Sequence, residues 1–284
     1  MAEQSDFPLG IEPDKPLDEA GHSRETIATN TNLETEHMEV HHHAHHGGKK
    51  SLKTYFWEFL MLFLAVFCGF LAEYQLEHTI EHQREKQYIR SLIADLKADQ
   101  EILSRHITHL QAGISMMDSM IGLLNDPTQV SANTGKIYYF ARVGPRLNPL
   151  SNNNRTFEQL KNSGNFRLIR DLNTSNRIMV YYERFPMIRL LESINENEFN
   201  DYKRIAAKVL DPSVLVQMED RNNRITRTNE NPRLVTTEKQ LLQELSVFSV
   251  YINGTKKGIL TTDNALKETG AELIEYLQKE YELE

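Results

Sequence analysis

The chain has 284 residues, a net charge of −8, 25% charged residues and a mean hydropathy of −0.52. Its one cysteine excludes an internal disulfide and a cysteine cluster for a metal. Residues 1–47 hold ten acidic residues against Lys15 and Arg24, so the remainder is neutral and lacks the basic face that nucleic-acid binding needs.

Residues 1–50 carry few apolar side chains, several acids and Pro8, Pro13 and Pro16, with no hydrophobic period. Such a stretch cannot bury enough surface to offset its ordering entropy, and it reads as a disordered tail. Its end is rich in histidine: His41, His42, His43, His45 and His46, with His37 close by. Imidazole suits Zn, Ni and Cu ions, so one reading is capture or sensing of a divalent metal. The other is a solvated low-complexity run, because no cysteine or ordered scaffold fixes a coordination geometry.

Tyr55–Leu76 follows, and within it Phe59–Ala72 has neither a charge nor a polar amide. Twenty-two residues make a helix of about 33 Å, against a hydrocarbon thickness of roughly 30 Å. Tyr55 and Trp57 at one edge and Tyr74 at the other suit the headgroup level, and Glu58 and Glu73 flank the run. A single transmembrane helix is the reading. A cleaved signal is disfavoured, because the run begins far from residue 1 and no small-x-small site follows it. Lys49, Lys50 and Lys53 precede the span while Glu73, Glu77 and Glu81 follow it. The positive-inside rule then puts the N-terminus in the cytoplasm and residues 77–284 outside. Ala65 and Gly69 have the small-x-x-x-small spacing that permits close helix pairing.

From Tyr74 to Asn125 there is no proline. Glu73, Glu77, Glu81 and Glu85 share one helix face, which predicts a solvated first stretch. His78 and His82 also stand at i, i+4, the spacing of two-histidine metal sites, without an evident third ligand. Beyond them Ile89, Ile93, Leu96, Leu103, Ile107, Leu110, Ile114, Met117, Ile121 and Leu124 keep a 4-and-3 spacing, with Gln100 the one polar member. This is a coiled-coil seam or the core face of a bundle helix. Leu92, Ile102 and Met120 widen it toward the bundle. Asn125-Asp126-Pro127 should stop it.

Downstream, the pattern predicts helices at about 136–143, 157–163, 174–210 and 238–282. Thr156 with Gln159 has capping-box spacing, Gly164 should reverse the chain, and Pro186 should kink the third of these helices. Val214–Val216 reads as a short extended piece, and Gly254 and Gly258 threaten the last helix. The expected fold is all-α: one transmembrane helix continuing into a long helix that packs in an antiparallel helical bundle.

Three blocks resemble an uncharacterised family of single-pass membrane proteins of Bacteroidota. They are Trp57-Glu58-Phe59 with the apolar run, residues 81–99, and residues 156–183. The likeness spans roughly residues 49–210. The feature T-[FY]-E-x-L-x-x-S-G-N is carried by Thr156, Phe157, Glu158, Leu160, Ser163, Gly164 and Asn165. The resemblance implies an envelope protein of the inner membrane with a periplasmic domain, and it supplies no activity. Physically, the block is a capped turn. As a ligand site it would offer Glu158, Asn165, Arg167 and Arg170, two of which could clamp an anion.

No nucleophile elbow, P-loop, two-histidine zinc motif or dinucleotide fingerprint occurs. The expected function is therefore a non-catalytic, membrane-anchored helical interaction or sensor-like module, with no cofactor. Its expected partners are the lipid bilayer and either a second copy or an envelope protein. The alternative is metal handling by the histidine tract.

Overall fold

The computed structural model describes residues 51–228 and 230–283. The histidine tract lies outside them. The chain divides into two compact units, residues 1–60 and 61–284. Of the first, residues 51–60 are described. They begin helix α1 (Leu52–Asn125), with Phe56 and Trp57 edge to face at 6.4 Å.

The second unit is helical, and no strand occurs among the described residues. A single isolated bridge joins Glu219 and Ile225. After α1 come α2 (Pro127–Val130), α3 (Thr134–Val143) and α4 (Arg155–Asn162), then a 3-10 turn (Asn165–Leu168). There follow α5 (Leu172–Tyr182), α6 (Phe185–Val209), α7 (Pro212–Gln217) and α8 (Lys239–Glu280).

Polar cross-links fix how the helices lie. Between α1 and the α8 end of the chain, Glu85 meets Tyr281, Gln100 meets Lys267, His106 meets Asp263, Asp118 meets Asn253, and Asn125 meets Ser246. One number rises as the other falls, so α1 and α8 are antiparallel. Glu85 to Arg170, Asp99 to Tyr181 and Met120 to Tyr202 rise together, so α5 and α6 run parallel to α1. The predicted seam is the buried face. Ile89, Leu96, Leu103, Leu110 and Met117 are fully or almost fully buried, as is Leu92 beside them. They feed two apolar clusters. One gathers Ile89–Leu103 with Leu160, Ile178, Ile188, Leu266 and Leu273, and the other gathers Met117–Leu124 with Ile137, Tyr202, Leu245 and Ile252.

Several local expectations are corrected. The helix expected over 174–210 is two helices. The Glu183 amide closes α5 on the Met179 carbonyl and the Arg184 amide on that of Tyr181, and Pro186 sits in the first turn of α6, where its missing N–H costs nothing. α5 starts earlier than expected, because the Asp171 carboxylate accepts from the Asn173 and Thr174 amides. Val214–Val216 is helical, within α7, capped by Asp211 accepting from the Ser213 amide at 2.8 Å. α8 runs unbroken through Gly254 and Gly258, since helix propensity is a weak prior beside packing. Thr156 does not cap α4; Asn154 holds that position, and Thr156 turns to Asp95. Gly164 behaves as expected, with φ of 69°, a left-handed conformation that reverses the chain after α4.

Candidate functional site

The feature with most chemistry is a row of buried polar groups that starts within the first apolar cluster and fills the gap before the second. α1 supplies Asp95, Asp99 and His106, and α8 supplies Lys256 and Asp263, all of them buried. α6 adds Glu192. These groups hold an irregular strap, residues 144–154, that connects α3 to α4. The strap pairs with no strand among the described residues, so the Gly144 carbonyl and the Leu150 amide, both in buried residues, depend on side chains.

The Lys256 Nζ donates to the Gly144 and Arg146 carbonyls at 2.5 and 2.7 Å. The His106 Nε2 lies 2.7 Å from the Asn148 carbonyl oxygen, and its Nδ1 lies 2.7 Å from Asp263 Oδ2. Glu192 Oε1 accepts from the Leu150 amide at 2.6 Å, and Asp99 Oδ1 accepts from the Asn153 amide at 2.6 Å. Asp95 Oδ2 closes the row, accepting from the amide and hydroxyl of Thr156 at 3.1 and 2.7 Å.

The electrostatics follow from this geometry. Both His106 nitrogens face acceptors, so both carry protons when Asp263 is ionised. Burial pulls the His106 pKa down, but the bond to Asp263 and its charge, helped by the Asn148 carbonyl and Glu192, outweigh burial and leave it above the ordinary value. Lys256 has only carbonyls for partners, and burial pushes it down to about 8. Burial also raises Asp99, against the opposing bonds from Asn153 and Tyr181. Gly113 leaves room for this lysine: a Cβ there would stand 2.8 Å from the Lys256 Nζ and 3.3 Å from the Gly144 carbonyl oxygen.

Two grooves flank the strap. One, of about 630 Å³, lies between strap residues 146–149 and the α6 side chains of Arg189, Glu192, Asn195 and Phe199. The other, of about 600 Å³, is walled by Phe157, Phe166, Tyr182 and Phe185. In it Phe157 stacks on Tyr182 with ring centroids 4.2 Å apart. Arg189 borders both grooves and donates to the Asn152 side chain at 3.2 Å.

The chain matches no family model, no curated protein and no solved structure.

The sequence-predicted turn residues do not converge on one ligand position. Asn165 donates to the Tyr88 hydroxyl at 2.9 Å. Arg170 reaches the other way, to His78 Nε2 at 2.6 Å and to Glu81. Tyr88 and Glu81 are about 10 Å apart along α1. Glu158 lines the aromatic groove with Lys161, and Arg167 is exposed. His78 and His82 are likewise separated in role, His82 facing Glu85 at 3.3 Å. Among the described residues no group of three or more metal-ligating side chains assembles. The expectation of a solvated glutamate face fails at Glu85. It is buried and accepts from the Tyr281 hydroxyl at 2.7 Å.

Sequence reasoning missed the polar layer. The available signal was that Asp95, Asp99 and His106 stand at the same 3-and-4 spacing as Leu92, Leu103 and Leu110, so they widen the buried stripe.

Proposed function

We propose that the chain is a membrane-anchored, non-catalytic helical module that lies in the inner membrane and presents its bundle to the periplasm for interaction or sensing. The carrying observation is the change of character along α1. An 18-residue window of this helix has mean hydropathy 2.0 and none of it is buried, whereas from Glu85 on one face of the same helix is buried in a bundle. Large apolar side chains such as Met61, Leu62, Val66 and Phe70 stand more than 60% exposed. A hydrocarbon environment removes the cost of that exposure. The polar layer supports a sensor-like role, because its lysine and one nitrogen of its histidine bond a strap that has grooves on either side. Lysines before the span and glutamates after it support the orientation.

Carbonate washing of vesicles carrying the full chain tests the anchor. The protein should remain in the pellet, and its release to the supernatant would overturn the reading. Crosslinking in intact membranes then tests interaction, where a discrete adduct with a second copy or one envelope protein is expected and only the free chain would refute it.

A further inference from the structure

Resting on the sensing reading above and naming its ligand class, we infer that a cavity between α1 and the strap binds a short-chain carboxylate, whose charged end meets the Lys256 ammonium and the Arg146 guanidinium and whose alkyl part lies on Leu110, Met116 and Val143. The cavity holds about 220 Å³. At roughly 30 Å³ per water, that is room for about seven water-sized groups. His106, His109, Arg146 and Lys256 line it, and no carboxylate does. The groove between the strap and α6, by contrast, carries Glu192 and Glu196 beside its arginines. A hollow lined by cations alone favours an anion.

Lys256 is 1% exposed, and its partners are two neutral carbonyls. The carboxylates on neighbouring elements are engaged elsewhere: Asp263 with His106, Glu192 with the Leu150 amide, Glu198 with Thr255, and Asp118 with Asn253 and Lys257. A buried charge without a counter-charge is the arrangement that an incoming anion relieves. The ammonium has three N–H groups. Two donate to the Gly144 and Arg146 carbonyls, and the third has no acceptor among the described residues. Space lies beside it. Gly113 also lines the cavity, and the Cβ it lacks would stand 2.8 Å from the Lys256 Nζ.

Arg146 supplies the second cation. It is exposed, so it borders the mouth, and its guanidinium has no hydrogen-bond or ion-pair partner among the described residues. Lys256 holds the Arg146 carbonyl, which keeps both cations at one place on the strap. A guanidinium offers paired donors that match the two oxygens of a carboxylate. His106 adds charge but no donor, because Asp263 and the Asn148 carbonyl hold its nitrogens. The walls at Leu110, Met116 and Val143 are apolar, so a carboxylate with an alkyl part suits the cavity better than a fully hydrated oxyanion such as phosphate.

The test titrates the full chain in non-ionic micelles with sodium butyrate by calorimetry, at constant chloride in a zwitterionic buffer, against butyramide and inorganic phosphate. Butyrate should bind saturably at one site, and neither control should. Arg146→Gln alters an exposed side chain and leaves the core intact; it should weaken butyrate about tenfold, the worth of one charged hydrogen bond. Lys256→Met should abolish binding. From pH 7 to 9 the parent's affinity should fall about tenfold or more, because the ammonium titrates at about 8 and His106 loses charge in the same direction. Phosphate binding without butyrate binding, or butyramide binding as well as butyrate, overturns the carboxylate assignment. Butyrate binding indifferent to Arg146→Gln and to pH overturns the site. No butyrate binding, by a chain that still pellets with carbonate-washed vesicles and still forms its crosslinked adduct, overturns this inference alone. Loss of pelleting and of the adduct overturns the membrane-anchored interaction reading whatever butyrate does.

Discussion

Lys256→Met separates what the buried ammonium costs from what its two bonds contribute. The variant keeps the side-chain volume nearly unchanged and removes the donor to the Gly144 and Arg146 carbonyls. Each carbonyl left without a partner costs about 1–3 kcal/mol. Against this stands the desolvation of the charge. A lysine at about 8 in the folded chain, against its ordinary 10.5, carries a penalty of about 3 kcal/mol below pH 8. Near pH 7 the two effects oppose, and the variant should melt within a few degrees of the parent. Between pH 8 and 10.5 the unfolded chain binds more protons at this site than the folded one, so stability contributed by Lys256 rises with pH. The neutral amine still donates both bonds. The parent should therefore gain about 3 kcal/mol over Lys256→Met from pH 7 to 10.5, or roughly 6–12 °C in relative Tm for a unit of this size. Circular-dichroism melts of the two full chains in non-ionic micelles measure the difference, and other titrating groups cancel in it. Parallel pH profiles would show that the ammonium is not desolvated and would refute the reasoning.

His106→Gln should act in the opposite window. The folded imidazole titrates above 6.5, so its contribution is complete below that pH and fades as pH rises through the folded value; the variant should lose this decline, and an unchanged melting profile between pH 6 and 9 would refute the pairing. Asp99→Asn keeps an acceptor for the Asn153 amide but replaces the charged acceptor of the Tyr181 hydroxyl with an amide donor, so the unfolding free energy from urea titration should fall by about 1–3 kcal/mol at unchanged slope. Gly113→Ala places a methyl 2.8 Å from the Lys256 Nζ and should cost about 1–3 kcal/mol. Combined with Lys256→Met, whose side chain end is free to shift, most of that cost should vanish, and strict additivity in a double-mutant cycle would count against the contact.

The long elements were legible because a 4-and-3 period over more than four heptads states which face of α1 is buried. Local capping chemistry was legible where glycine carried it, at Gly164, and overlooked where aspartate did, at Asp171 and Asp211. The polar layer was hidden for a different reason. A period tells which side of a helix is covered, never by what. The partners of Asp99, His106 and Lys256 lie 42 to 157 residues away in the chain. Glu85 was misjudged by the same logic, since Tyr281, which buries it, is 196 residues distant.

The position of that layer bears on what the bundle can do. A continuous apolar seam between α1 and α8 would tolerate slippage by a heptad, because each leucine would meet an equivalent neighbour. His106 opposite Asp263, with Lys256 on the strap, admits one register, since a slip would bury each charge without its partner. The same layer is the least satisfied part of the core. Asn195 Nδ2, Glu198 Oε2, Asn253 Oδ1 and Asp263 Oδ1 are buried without a hydrogen-bond partner, all on α6 or α8 near strap level. The two apolar clusters hold the helices together, while the polar layer combines strict register with unspent hydrogen-bonding capacity.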